Sequence, residues 1–287
     1  MSLPRISVVT PSLNQGRYLE DAIRSVLGQE YPNLEYIIVD GGSSDGSVDI
    51  IRKYEHRLAH WVSEADDGQA HAINKAFDRA TGDILAWLNS DDMVLPGTLA
   101  HVAAALDPAR PELLFGNCLH FTEGSTAAFG SNVRWGHEAQ DLRLVDYIVQ
   151  PSAFWTREAW LRTGPFDQSL EYGFDWEWFI RAMNAGVVFR PDDKVLAVYR
   201  IHPAHKTGMG GERRRRELAS IYARHAGARY EQLFLRCCAR RGLILGMLKW
   251  LRRARLARFE IRILKAAFPL LFRGFSRREV SDIIAML

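Results

Sequence analysis

The stretch LAWLNSDDMVLPG, Leu85 to Gly97, runs from an apolar segment into Asn89, Ser90, Asp91 and Asp92 before a turn signal at Pro96 and Gly97. Adjacent carboxylates repel one another and are poor strand formers. Two explanations compete: a solvated loop that merely ends a buried strand, or a bound cation that makes neighbouring carboxylates useful. Residues of matching chemistry lie far away in sequence. Asp40 precedes Gly41 and Gly42, a turn through which a ligand can approach the backbone while the carboxylate accepts from an N–H or hydroxyl. Asp175 and Glu177 open an apolar stretch of helical spacing, where the helix dipole favours acidic residues for structural reasons too. His202 closes the late strand pattern VLAVYRIHP, as an ordinary polar residue or as a ligand.

The elements that must position these residues alternate regularly over the first hundred positions. ISVVTP, LEYIIVDGG, LAHWVSE and DILAWLN read as strands. RYLEDAIRSVLGQ, SVDIIRKYEHR and QAHAINKAFDRA read as helices between them, the first with Leu19, Ile23, Val26 and Leu27 on one face. Strands separated by helices imply a mostly parallel sheet covered on both faces, with ligands bound beyond the carboxyl ends of its strands. Pro11, Ser12 and Asn14, then Asp40 to Gly42, then Asp91 and Asp92 should therefore converge on one edge. GGSSDGS lacks the spacing of a P-loop, and no Gly-x-Gly-x-x-Gly opens a helix, which argues against NTPase and dinucleotide-dehydrogenase chemistry. Further on, DLRLVDYIVQPSAFWTREAWLRTG reads as a helix, a turn at Gln150-Pro151 and another helix.

Of 287 residues 47% are hydrophobic, enough for a sizeable core. The three cysteines, Cys118, Cys237 and Cys238, fit small buried side chains in a reducing compartment. No secretory signal pattern opens the sequence, so a cytoplasmic location is expected. The net charge of +3 conceals a division: residues 1–205 hold 17 Lys+Arg against 28 Asp+Glu, a net −11, and residues 206–287 hold 20 against 6, a net +14. In the basic part, Leu245, Leu248 and Leu251, then Leu256, Phe259 and Ile263, recur at helical spacing. Its apolar run GLILGML is far below the roughly 20 residues of a spanning helix. Basic amphipathic helices fit peripheral contact with an anionic membrane, at its inner face, or internal packing with solvated arginines. Nucleic-acid binding lacks any accompanying module.

Taken in order, SVVTPSLNQGRYLEDAIRSVLGQEYPNLEYIIVDGGSSDGS, SEADDGQAHAINKAF, GDILAWLNSDD, QPSAFW, FDWEWFIR and YRIHPAHKT resemble the family 2 glycosyltransferases of the nucleotide-diphospho-sugar transferase superfamily over residues 5–207. The resemblance implies an α/β GT-A fold: a Rossmann-like, mostly parallel sheet flanked by helices, with a basic helical appendage. A catalytic domain at 1–207 is expected, its nucleotide-sugar half at 1–110 and its acceptor half at 111–207, followed by the appendage at 208–287. Thr10, Pro11, Asn14, Asp40, Asp66, Gln69, Lys75 and Asp91 are implied as nucleotide-sugar-binding residues, with Asp40 reading the base edge. Asp92, Asp91 and His202 are implied for a divalent cation, Mn2+ or Mg2+, although Asn89 replaces the first carboxylate of the family's Asp-x-Asp motif. Asp175 is implied as the general base, although Phe174 stands where many relatives have Glu. Tyr172, Trp176, Trp178 and Trp155 could stack on sugars or pack in a core. The implied activity is inverting transfer from a nucleotide-diphospho-sugar, UDP favoured and dTDP or GDP possible, to a glycan or lipid-linked hydroxyl in surface polysaccharide or glycolipid assembly. A nucleotidyltransferase and an inactive nucleotide-sugar-binding scaffold are the alternatives.

Overall fold

The computed structural model describes residues 3–126, 128–203, 205–206 and 211–287. They fall into two compact units, Met1–Arg134 with Ile148–Gly208 and Trp135–Tyr147 with Met209–Leu287. The boundary expected at residues 207–208 lies outside the described residues. Residues 135–147, assigned from sequence to the acceptor half, group with the C-terminal helices.

The first unit opens with β1 (Ile6–Ser12), α1 (Gly16–Leu27), β2 (Leu34–Asp40), α2 (Ser47–Tyr54), β3 (His60–Ser63), α3 (Gln69–Arg79) and β4 (Ile84–Trp87). It continues through β5 (Met93–Val94), α4 (Thr98–Ala105), β6 (Glu112–Thr122) and β7 (Ala128–Gly130), and α5 (Val133–Ala139) follows. β8 (Ala153–Thr156), α6 (Arg157–Thr163), α7 (Phe174–Asn184) and β9 (Val188–Ile201) complete it. One sheet takes the order β3-β2-β1-β4-β8-β6-β9-β5, with β7 beside β6. β1 is parallel to β2 and β4, and β2 to β3, so Ser12, Asp40 and Ser63 come level at one edge. Every residue of β1 is buried, as a parallel strand covered on both faces requires.

Beyond β4 the sheet becomes mixed, because β8 runs antiparallel to both β4 and β6. PSAFW, read as a turn entering a helix, holds this strand. Four buried residues carry too little periodicity to betray it, and its pairing partners are remote in sequence. Trp155, Trp176 and Trp178 are core residues, essentially unexposed, so they do not stand ready to stack on a sugar. Trp155 packs against Trp178 at 4.8 Å between ring centroids, and Trp87 against Phe166 at 4.8 Å. This cluster fixes α7 beneath the end of β4.

The second unit contains α8 (Gly211–His225), α9 (Ala228–Cys238), α10 (Arg241–Arg253), α11 (Glu260–Ala267) and α12 (Arg277–Ala285). Residues 141–147, expected to be helical, form turns and irregular backbone instead. The Leu144 carbonyl accepts from the Tyr222 hydroxyl at 2.6 Å, and the Asp146 amide donates to Met286 Sδ at 3.4 Å. Such partners satisfy backbone groups that a helix would otherwise pair internally. A capping box at Ser276 and Glu279 starts α12.

Candidate functional site

The carboxyl edge of the sheet gathers the polar loops of the first unit. After β1 the chain turns at Asn14, whose φ of 52° lies in the left-handed region that asparagine tolerates. Asn14 Oδ1 accepts from the Ser44 amide at 2.9 Å, and the Asn14 amide donates to Ser43 Oγ at 2.7 Å, locking the first loop to the second. Asp45 Oδ2 accepts from the Gly16 amide at 2.8 Å and Oδ1 from Ser47 Oγ at 2.6 Å, so one side chain caps α1 and tethers the start of α2. Burial raises its carboxyl, but the hydrogen bonds from Ser47 and Gly16 outweigh it and hold Asp45 below the usual carboxylate range.

Asp40 is fully buried, and its carboxylate accepts from the Gly42 amide, the Ser43 amide, Ser43 Oγ and Ser63 Oγ at 2.5–3.1 Å. A nucleobase would reach it only by displacing these donors. Asp66 lies closer to the open side: its Oδ1 accepts from the Gly68 amide at 2.8 Å, and a Cβ added at Gly41 would stand 2.7 Å from its Oδ2. Gly41 therefore keeps the room that this carboxylate occupies. Pro11 is buried at the end of β1, paired with Val39. Thr10 is buried as well, sharing a hydrogen bond of 3.0 Å with the Tyr36 hydroxyl, and Lys75 pairs with Glu64.

At the end of β4, Asn89 is the hub of a polar network. Its Oδ1 accepts from Gln69 Nε2 at 2.8 Å and Trp87 Nε1 at 3.1 Å. Its Nδ2 donates to Gln150 Oε1 at 3.1 Å and Asp92 Oδ2 at 3.4 Å. Gln150 Nε2 donates to the Trp87 carbonyl at 2.8 Å, and Lys206 Nζ to Gln69 Oε1 at 3.1 Å. An aspartate at position 89 could make none of the Nδ2 donations, which accounts physically for the amide there. The β4–β8 register explains Gln150: an antiparallel β8 starts where β4 ends.

Asp91 and Asp92 take different environments. Asp92 is buried, with Oδ1 accepting from the Arg200 amide at 3.0 Å. Burial, then the neighbouring Asp91 charge, push its carboxyl well above the usual range. Asp91 Oδ2 lies 3.0 Å from Nε2 of His202, whose side chain is wholly buried. Antiparallel pairing of β5 with β9 brings these residues together across 111 residues of sequence. His202 Nδ1 is buried without a hydrogen-bond partner among the described residues, and the ring packs on Tyr18 at 4.4 Å. Arg200 Nε donates to the Asp91 carbonyl at 3.1 Å, and its Nη2 to Asp21 at 2.9 Å.

Asp175 stands half-buried in the first turn of α7, with Oδ1 accepting from the Trp176 amide at 2.8 Å. The preceding Phe174 packs on Trp87 at 5.8 Å, and Lys206 Nζ lies 6.0 Å from the Phe174 ring centroid and 5.7 Å from that of Tyr172. Lys206 thus joins the Gln69–Asn89 network to the approach to Asp175. The structure brings Gln69, Asp92, Asp91 and His202 into one connected neighbourhood around Asn89. Gln150, Arg200 and Lys206 belong to it too, and sequence reasoning assigned them no role, although each lies in or beside a motif block. Among the described residues, no group of three or more His, Cys, Asp or Glu side chains is arranged to hold a metal ion.

A family model described as "Glycosyl transferase family 2" matches residues 7–161, more than half of the chain. The chain is similar to a putative teichuronic acid biosynthesis glycosyltransferase of Bacillus subtilis, 47% identical over 92 residues, covering 31% of this chain and only 36% of that protein. It is 29% identical over 207 residues to a PGL/p-HBAD biosynthesis glycosyltransferase of Mycobacterium bovis, covering 69% of this chain and 78% of that one. Among solved structures, a Pyrobaculum calidifontis mannosyltransferase in complex with GDP-Man and Mn2+ superposes with a TM-score of 0.60 at 23% identity, covering 78% of this chain and 64% of that one. Residues 1–349 of S. aureus TarS in complex with UDP-GlcNAc give 0.60 at 16% identity, covering 80% of this chain and 70% of that one.

Proposed function

The chain belongs to glycosyl transferase family 2 and has the GT-A glycosyltransferase fold, and from that premise we propose that it moves a sugar from a nucleotide-diphospho-sugar to a hydroxyl acceptor with inversion at the anomeric carbon. The observation that carries the reading is the Asp91–His202 contact at the sheet edge, held by the Asn89 network. The Bacillus relative is named for teichuronic acid biosynthesis and the mycobacterial one for PGL/p-HBAD biosynthesis, which supports an acceptor in a surface polysaccharide or glycolipid, lipid-linked or glycan.

Asp91 and His202 fit a divalent cation better than Asp92 does. Asp92 is buried and committed to Arg200 and Asn89, whereas Asp91 and His202 share one short contact that an ion could replace. Two protein ligands suffice where diphosphate oxygens and water complete the shell. Mn2+ or Mg2+ bound there would supply positive charge for the leaving diphosphate, and a mixed carboxylate and imidazole pair favours Mn2+. Asp92 then serves to lock β9 against the loop.

The remaining work falls to the chain's own side chains. Asn14, Asp66 and Gln69 line the loops where the nucleotide would lie, and Lys206 adds a positive charge beside Gln69. Asp175 accepts the acceptor's hydroxyl proton as that oxygen bonds to the anomeric carbon. The bond from that carbon to the diphosphate breaks, and the nucleoside diphosphate leaves. UDP is the favoured nucleotide, with dTDP and GDP as the other candidates. A panel of UDP-, dTDP- and GDP-sugars with Mn2+, with and without a lipid-linked acceptor extract, tests the reading. Chelator-sensitive release of one nucleoside diphosphate is expected. Nucleotide binding by calorimetry without turnover on any donor and acceptor would leave only a binding scaffold.

A further inference from the structure

In the second unit, the 3-10 turn Ala257–Phe259 and the starts of α11 and α12 enclose an open cleft of about 480 Å3. Volumes of about 300–1,000 Å3 are usual for small-ligand sites. Arg258 and Arg262 line it from one side and Arg277 and Ser281 from the other. Arg277 and Ser281 are four residues apart on α12, so their side chains project from neighbouring turns of one helix face. None of the three arginines has an ion-pair or hydrogen-bond partner among the described residues, and neither has the Ser281 hydroxyl. The one carboxylate at the cleft, Glu260, is taken by Arg252 at 2.9 and 3.4 Å. The Arg258 guanidinium lies 4.7 Å from the Phe259 ring centroid, which limits its freedom.

Three guanidinium groups around one cavity repel each other and gain only if an anion enters. Their planar forks match phosphate oxygens, and Ser281 adds a hydroxyl donor. We propose that this cleft binds the phosphate of an anionic membrane lipid. The lipid, rather than a soluble phosphate, is favoured by the surroundings. Residues 206–287 carry a net +14. On α10, Leu243 and Trp250 are 67% and 62% exposed, and they share helical spacing with the exposed Arg253. Exposed apolar side chains interleaved with basic ones are the composition of a membrane-interface helix. Among the described residues no helix is long and apolar enough to cross a membrane, so the contact is peripheral.

The test uses the full chain with vesicles of phosphatidylcholine alone or mixed with phosphatidylglycerol, and separately titrates inorganic phosphate and pyrophosphate by calorimetry. Each basic side chain near an anionic surface contributes about fivefold to affinity. The R258Q/R262Q/R277Q variant should therefore bind mixed vesicles on the order of a hundredfold more weakly. R216Q/R236Q/R240Q, with the same loss of charge outside the cleft lining, should stay within about fivefold of the parent. Replacing the three cleft arginines by lysine preserves charge and should give an intermediate loss. Equal weakening in the glutamine variants would reduce the effect to diffuse attraction and overturn the site. Pyrophosphate binding with no vesicle retention would overturn the lipid assignment, and silence in both arms would overturn the proposal. Binding is read without donor or acceptor, so its failure leaves the transfer reaction untouched.

Discussion

The sheet edge of the first unit and the helices of the second use charged and polar side chains in opposite ways. At the edge, Asp40, Asn89, Asp92 and Gln150 are buried or nearly so, and each is tied by hydrogen bonds to residues remote in sequence. In the helices, Arg258, Arg262 and Arg277 are exposed and, among the described residues, unpaired. A buried polar group must be satisfied internally, so it fixes geometry. An exposed cation without a counter-charge fixes almost nothing in the fold and contributes affinity for whatever anion arrives. The contrast assigns precise positioning to the first unit and capture to the second.

The most severe break of that contrast should come from Asp175→Asn. The amide keeps the size of the side chain and its contact with the Trp176 amide but cannot take a proton. Turnover should fall by roughly 10²- to 10⁴-fold, the range for loss of a general base. Calorimetric affinity for the nucleoside diphosphate should stay within about twofold, because the substitution leaves the binding loops alone. Near-normal turnover would remove Asp175 from the role and leave the edge as a binding device.

Asn89→Asp sharpens the comparison at a smaller scale. The change deletes the donations to Gln150 and Asp92 and sets another carboxylate beside a buried one. Leaving such groups unsatisfied costs about 1–3 kcal/mol. Urea denaturation should show that loss at neutral pH, shrinking towards acid, because like charge raises the new carboxyl and protonation relieves it. Arg262→Gln, on the exposed side of the contrast, should stay within about 0.5 kcal/mol of the parent. Comparable losses at both positions would erase the distinction between the two regions.

The same physics decides what was legible in the sequence. β1 to β4 with the helices between them announce themselves through local periodicity, and GT-A architecture follows from ordered motif blocks. β8 does not, since four buried residues look alike in a strand or a helix and only pairing with β4 and β6 settles them. The resemblance puts Asp92 on the cation and Asp91 on the nucleotide-sugar or the cation, and nothing local tells that β9 buries Asp92 against the Arg200 amide and sets Asp91 on His202. Gln150, Arg200 and Lys206 sit in motif blocks without a signature chemistry, so their roles emerge only from contacts across 61, 108 and 137 residues of sequence. Trp155, Trp176 and Trp178 could be sugar platforms or core by sequence, and only their burial shows them to be the core that holds the helix.

Asp282 offers the mildest probe, because it is the one buried charged side chain among the described residues of the second unit. Among the described residues it accepts only long hydrogen bonds, 3.4 Å each from Gln140 Nε2 and the Asp141 amide. Burial is the leading cause of a carboxyl raised above its ordinary value, and the weak hydrogen bonds do not restore it. A group whose folded pKa exceeds its unfolded one contributes fully below the unfolded value, near 3.8, and loses that contribution as pH rises through the folded value. The thermal midpoint of the second unit should therefore gain from Asp282→Asn at neutral pH, since the amide retains an acceptor oxygen without a buried charge. The gain should shrink towards acid, as the parent carboxyl takes up its own proton. A loss at neutral pH would mean that the Asp282 charge is supported after all, by Arg278 or the Asp141 turn, and that the second unit also builds structure from its ionised groups.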